Sequence, residues 1–230
     1  MKRYGAFLVF LCVMSCASAV ECQMLLPEAK QKEILGGRRY PRSSRTRIAR
    51  NAVGNGYAAI GKKDFETAIR EFDRAWRFRP DVPDPYWGAA IAFGMMAEAE
   101  KNSSKAKDFI EASLTLFEKA EKLLPGDAVV RENWRFDYAA SLYVAGNILS
   151  ASDKSAAEKS FAEAEKIWLS LSADRDLQKE RDKKVYCRAC VHLTKLYRDW
   201  GKKELQEKYF RKLSEEIRKD PSLRESLQFY

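Results

Sequence analysis

The chain has 230 residues, 46% of them hydrophobic and a third charged, with a formal net charge of +9 and a single histidine. That size and balance suit one folded domain with a substantial core. They exclude chemistry built on several histidines, and neither a Gly-rich phosphate loop nor an H-E-x-x-H pattern is present.

The first residues form an export signal. Met1-Lys2-Arg3 is basic, Gly5 to Met14 is almost wholly apolar, and Ala17-Ser18-Ala19 matches a small-x-small cleavage site, so residues 1–19 are expected to be removed. The apolar run is too short to span a bilayer comfortably. Val13-Met14-Ser15-Cys16 also reads as a loose bacterial lipobox, in which residues 1–15 would be removed and Cys16 lipidated. Both readings of the segment stand. Residues 20–47 follow as a basic flexible linker, in which Arg38, Arg39, Arg42, Arg45 and Arg47 lie among Gly36-Gly37, Pro41 and Ser43-Ser44. Its charge would also suit anionic lipid head groups or an acidic partner. Nucleic acid is not an expected partner of an exported chain.

Residues 48–219 are helical in period, with no convincing strand, and 220–230 read as a tail. Glycine and proline punctuate the helices, and the spacing between them repeats. Ala68, Phe72, Ala75 and Pro80 stand at relative positions 0, +4, +7 and +12. Ser113, Phe117, Ala120 and Pro125 repeat that spacing, as do Ala157, Phe161 and Ala164, with Leu169 in the proline's place. Small residues let neighbouring helices approach, the phenylalanine fills the gap, and proline ends the helix. The helices upstream share a large-small-small-large face at 0, +3, +4, +7: Arg50-Val53-Gly54-Tyr57, Tyr86-Ala89-Ala90-Phe93, Phe136-Ala139-Ala140-Tyr143 and Tyr186-Ala189-Cys190-Leu193.

These motifs resemble the tetratricopeptide repeat family over about 170 residues. The fold implied is an all-α solenoid of about four helical hairpins, the later ones longer than the usual repeat of about 34 residues. Its packing positions would be Gly54, Tyr57, Ala68, Phe72, Ala75, Ala90, Phe117, Ala120, Ala140, Phe161, Ala164 and Cys190. The resemblance implies a concave face lined by the first helix of each hairpin. Carried onto this sequence, that face would hold Asn51, Asn55, Trp87, Ile91, Asp137, Ser141, Val144, Cys187, Val191 and Thr194, with Trp134 at the rim. Asn51 and Asn55 match two positions of the family's carboxylate clamp, but its lysine and arginine partners are missing. What remains is a partly apolar groove for a peptide or a partner helix.

The stretch Val185 to Leu193, VYCRACVHL, holds Cys187, Cys190 and His192 one residue short of the C-x-x-C-H haem motif. On a helix His192 lies about 200° around from Cys190, so the near miss fails. No metal site, cofactor or enzyme is expected. The expected function is an exported scaffold, periplasmic or anchored to the outer membrane, that binds a protein segment in the bacterial envelope. A small-ligand or lipid carrier serving a transporter is the alternative, and a redox protein built on Cys187 and Cys190 a weaker one. Pairing among Cys22, Cys187 and Cys190 stays open, as does the oligomeric state.

Overall fold

Four helix starts in this chain are set by side-chain oxygens that accept otherwise unpaired backbone N–H groups. Asp64, Asn102, Asp127 and Asp153 each do so, taking the N–H of Thr67, of Ser104 and Lys105, of Val130, and of Ala156 at 2.9–3.1 Å. The computed structural model describes residues 22–36, 41–173 and 175–227. The expected export signal, Cys16, Arg38 and Arg39 lie outside those residues. Among the described residues the structure is all-α, without a strand, and no helix is long and apolar enough to cross a membrane.

The chain divides between Leu124 and Pro125 into two units. The first opens with a 3-10 turn (Gln23–Leu25) and α1 (Glu28–Gly36). Then come α2 (Arg42–Gly61), α3 (Phe65–Phe78), α4 (Asp84–Ala99) and α5 (Ser103–Glu121). The second holds α6 (Ala128–Leu149), α7 (Lys154–Ser172), α8 (Glu180–Asp199), α9 (Lys203–Lys219) and α10 (Leu223–Leu227). Consecutive helices pair as hairpins, α2 with α3, α4 with α5, α6 with α7 and α8 with α9, and within each unit the hairpins pack on one another. Pro80 and Pro125 follow α3 and α5 closely, as punctuation requires. Gly201, at φ +77°, ends α8 in the left-handed conformation, and the Lys202 N–H returns to the Tyr197 carbonyl at 2.8 Å.

Two stretches expected to be unstructured are ordered in part. The linker expected over 20–47 contains α1 and the first turns of α2. Pro41 occupies the N-cap of α2, and Ala49 is already buried against α3 with Ala52 and Ala75. Arginine is a good helix former, so a basic sequence does not oppose a helix there. The tail expected over 220–230 contains α10, whose Leu223 is buried.

The core of the first unit is organised on Phe72, which is fully buried together with Ala68, Ala75 and Trp76. The Trp76 indole donates to the Tyr86 hydroxyl at 2.8 Å, tying α3 to α4. In the next hairpin the buried Ser113 hydroxyl donates to the Ala90 carbonyl at 2.7 Å, beside buried Phe117 and Ala120. The second unit is built in the same way around Phe161, Ala164, Trp168, Leu193 and Tyr197.

The packing register departs from the expected columns at two helices. Gly54 is exposed, and a Cβ there would meet nothing within 4 Å, whereas a Cβ at Gly56 would lie 2.7 Å from the Phe72 ring. Tyr57, expected to be a packing residue, is 41% exposed, although its ring meets Phe72 edge-on at 5.2 Å. In α6 the close approach is at Gly146, where a Cβ would lie 2.4 Å from the Phe161 ring, while Ala140 is only half-buried. In both helices the glycine that faces a phenylalanine, and not the small residue nearest the family spacing, fixes the rotation. Ala90 and Cys190 are fully buried, as expected.

Candidate interaction faces

The first helix of each hairpin leaves a stripe of side chains facing solvent. On α4 this stripe is Asp84, Trp87, Ile91, Met95 and Glu98, while Gly88, Ala89, Ala90, Ala92, Phe93 and Gly94 are buried. The spacing of three and four residues is one helical face. Its middle three residues are half-buried and apolar. On α2, Asn51 and Asn55 are exposed, and the Asn55 amide donates to a Glu71 oxygen at 3.4 Å. α2 and α4 pack against each other, so these polar and apolar stripes belong to one layer of the first unit. Met95 was missed at sequence level; it could have been found as the next step of the Trp87, Ile91 series.

In the second unit the expected face is largely closed. Cys187 is fully buried, Ser141, Trp134 and Val144 are 5%, 6% and 9% exposed, and Trp134 stacks on Tyr138 with ring centres 5.0 Å apart. The reason is the number of neighbours: α6 packs on α7 and touches α8, and α8 packs on α7 and α9. A helix flanked on two sides buries two stripes and keeps only the remaining one for solvent. Asp137 and Val191 stay half-buried, and Thr194 turns its hydroxyl back to the Cys190 carbonyl.

What lies between α6 and α8 is a charged furrow. Arg188 donates to Asp137 at 3.1 Å and its guanidinium lies 4.3 Å from the centre of the Phe136 ring. Glu132 accepts from Arg175 at 2.6 Å and from Arg181 at 3.2 Å, and Arg175 also reaches Asp182. A concavity of about 350 Å³ at this end is lined by Val129, Glu132, Asn133, Glu180, Arg181, Lys184 and Val185. None of these was singled out from sequence, because residues such as Glu180 and Lys184 read as an ordinary solvated i, i+4 pair.

The cysteine stretch is split by its helix. Cys187 and Cys190 face α9, where Glu216 lies close to both. Burial pushes their thiols up, to about 12 and about 11. His192 faces the other way, stacked on Trp168 of α7 at 4.7 Å and near Phe136 of α6 at 6.2 Å. Burial, reinforced by Arg188 and Lys195, holds its imidazole neutral down to about 3. Cys22, Cys187 and Cys190 are all free thiols. The cysteine pair and His192 therefore pack against different partners and form no common centre.

No protein-family model, curated protein or solved structure matches this chain.

Proposed function

We propose that the chain is an exported tetratricopeptide-type scaffold that holds a segment of a protein partner in the bacterial envelope. Helical hairpins in sequence order, the first three with a small-residue approach to a phenylalanine or serine of the second helix, support the repeat reading. The observation that carries the binding reading is α4. Between Asp84 and Glu98 this helix has no charged residue, and its outward stripe is still Trp87, Ile91 and Met95. A helix that is apolar all round belongs in a core, and the part that its neighbours leave uncovered is the natural seat for a partner. Asn51 and Asn55 on α2 supply amides for the backbone of that segment. A tryptophan and an isoleucine one turn apart are typical anchors for a peptide or helix.

The reading is tested by recovering partners from envelope extract with wild-type chain and with Trp87→Ala plus Ile91→Ala. Loss of a specific partner from the double variant, with helicity retained, is the expected result. Recovery of the same partners in the same amounts would refute the assignment of the face.

A further inference from the structure

The residues that follow the export signal are seated on the layer opposite the candidate face. The 3-10 turn Gln23–Leu25 packs on α3 and α5, the second helices of the first two hairpins. Met24 is fully buried there and Cys22 is 6% exposed. The seat is built from polar groups as well as apolar ones. The Gln23 N–H donates to Asp73 Oδ1 at 2.8 Å, and Asp73, only 3% exposed, takes Arg77 on its other oxygen at 3.0 Å. Lys119 of α5 and Gln31 of α1 both donate to the Met24 carbonyl, and Gln31 also reaches the Leu26 carbonyl at 2.6 Å. A carboxylate on the inner face of α3 and a half-buried ammonium on α5 are costly to desolvate. Burial pushes the Asp73 carboxyl up and the Lys119 ammonium down accordingly. Their partners are backbone atoms of the 3-10 turn, which accounts for charged residues standing where the repeat pattern needs none.

We propose that the surface shared by α3 and α5 is a docking site for the chain's own post-signal segment, and that this latch fixes the side on which the chain leaves the domain. The seat recognises a short turn with one buried Met side chain, one backbone N–H aimed at Asp73 and one carbonyl aimed at Lys119. Cys16 stands six residues before Cys22. Six residues reach about 20 Å at most. A lipid on Cys16 would therefore hold the second-helix layer close to the membrane and turn Asn51, Trp87 and Ile91 away from it. That consequence rests on the export reading; the docking itself does not.

The thiol of Cys22 reports the latch directly. The exported chain is treated with a maleimide, and modification of Cys22 is followed by site-resolved mass spectrometry in wild type, Met24→Ser and Lys119→Met. Helicity is checked by circular dichroism. Cys22 of the wild type is expected to react at least about tenfold more slowly than in Met24→Ser, with Lys119→Met between them and helicity unchanged. The protection is expected to persist on dilution, as it must for a segment docked on its own domain. Native Cys22 reacting as fast as in denaturant, or a rate unchanged by Met24→Ser, would overturn the latch. Protection lost on dilution would overturn docking within one chain in favour of exchange between copies. The measurement needs no partner, so its failure is distinct from a failure of the Trp87 face.

Discussion

Phe72 stands between two glycines, and the pair makes a quantitative test of the packing. A Cβ on Gly88 would lie 2.2, 2.4 and 2.7 Å from three ring atoms of Phe72, and one on Gly56 would lie 2.7, 2.7 and 3.0 Å from the same ring. Carbon atoms prefer about 3.5–4.0 Å, so the overlap at Gly88 exceeds an ångström. The ring is fully buried, pressed by α2 on one side and α4 on the other, and has no free direction in which to retreat. Gly→Ala inside a helix gains about 1 kcal/mol of propensity. Overpacking costs about 1–3 kcal/mol. The net for Gly88→Ala is then a loss of about 1–2 kcal/mol, and for Gly56→Ala a smaller loss, of about 0–1 kcal/mol. Gly54→Ala, exposed in the same helix, meets nothing and should be stabilising. Phe72→Leu removes part of the obstruction, so Gly88→Ala should cost less in that background, with a coupling of about 1 kcal/mol or more. Urea unfolding followed by circular dichroism measures the wild type and all five variants. Equal stabilisation by alanine at 54 and 88, or strict additivity of the Phe72 and Gly88 changes, would refute the reasoning.

Two further outcomes follow from single residues. Lys63 holds φ 59° at the turn between α2 and α3, where the Asp64 N–H returns to the Ala59 carbonyl at 3.0 Å. Lys63→Gly relieves that left-handed residue and should raise stability by about 1 kcal/mol in the same unfolding assay. His192 is half-buried between Trp168 and Phe136 and held neutral, with its folded pKa lowered to about 3 from 6.5, chiefly by desolvation. The unfolded chain therefore binds more protons below pH 6.5, and stability contributed above that pH is lost as the pH falls from 6.5 towards 3. By pH 5 the loss should be about 2 kcal/mol, and His192→Phe should remove this part of the pH dependence.

How much was legible depended on how many neighbours a helix has. The spacing Ala68, Phe72, Ala75 and Pro80 falls on a helix whose small and aromatic residues are all buried, with Phe72 meeting glycines of both neighbouring helices. The first helices were harder. Gly54 and Gly56 lie about 200° apart on one helix, and only the position of the Phe72 ring decides that Gly56 is the inner one. In α6, Ala139, Ala140, Ala145 and Gly146 present the same ambiguity. Assigning the groove by fixed steps along each first helix sent Ser141, Val144 and Cys187 to the surface, although helices on two sides bury all three. The seat of residues 22–26 had no periodic signal at all. A single turn carries too few residues for a pattern, and its recognition depends on Asp73 and Lys119, 46 positions apart.

The contrast between α4 and α8 also bears on where a partner would bind. Both are first helices flanked by second helices, so both have one stripe left for solvent. On α8 that stripe carries Arg181, Lys184, Arg188 and Lys195, and Arg181, Lys184 and Arg188 are paired with carboxylates. Such pairs at a wet surface contribute little to stability, but they keep the face soluble without a partner. On α4 the equivalent positions are half-buried tryptophan, isoleucine and methionine, whose exposed parts water does not favour, while the buried side of the helix is filled by glycine, alanine and Phe93. The opposite layer of the first unit is occupied by the chain's own Met24 turn. An apolar stripe retained on one layer, while the Met24 turn packs on the other, supports the proposal that a partner would draw its binding energy from Trp87, Ile91 and Met95.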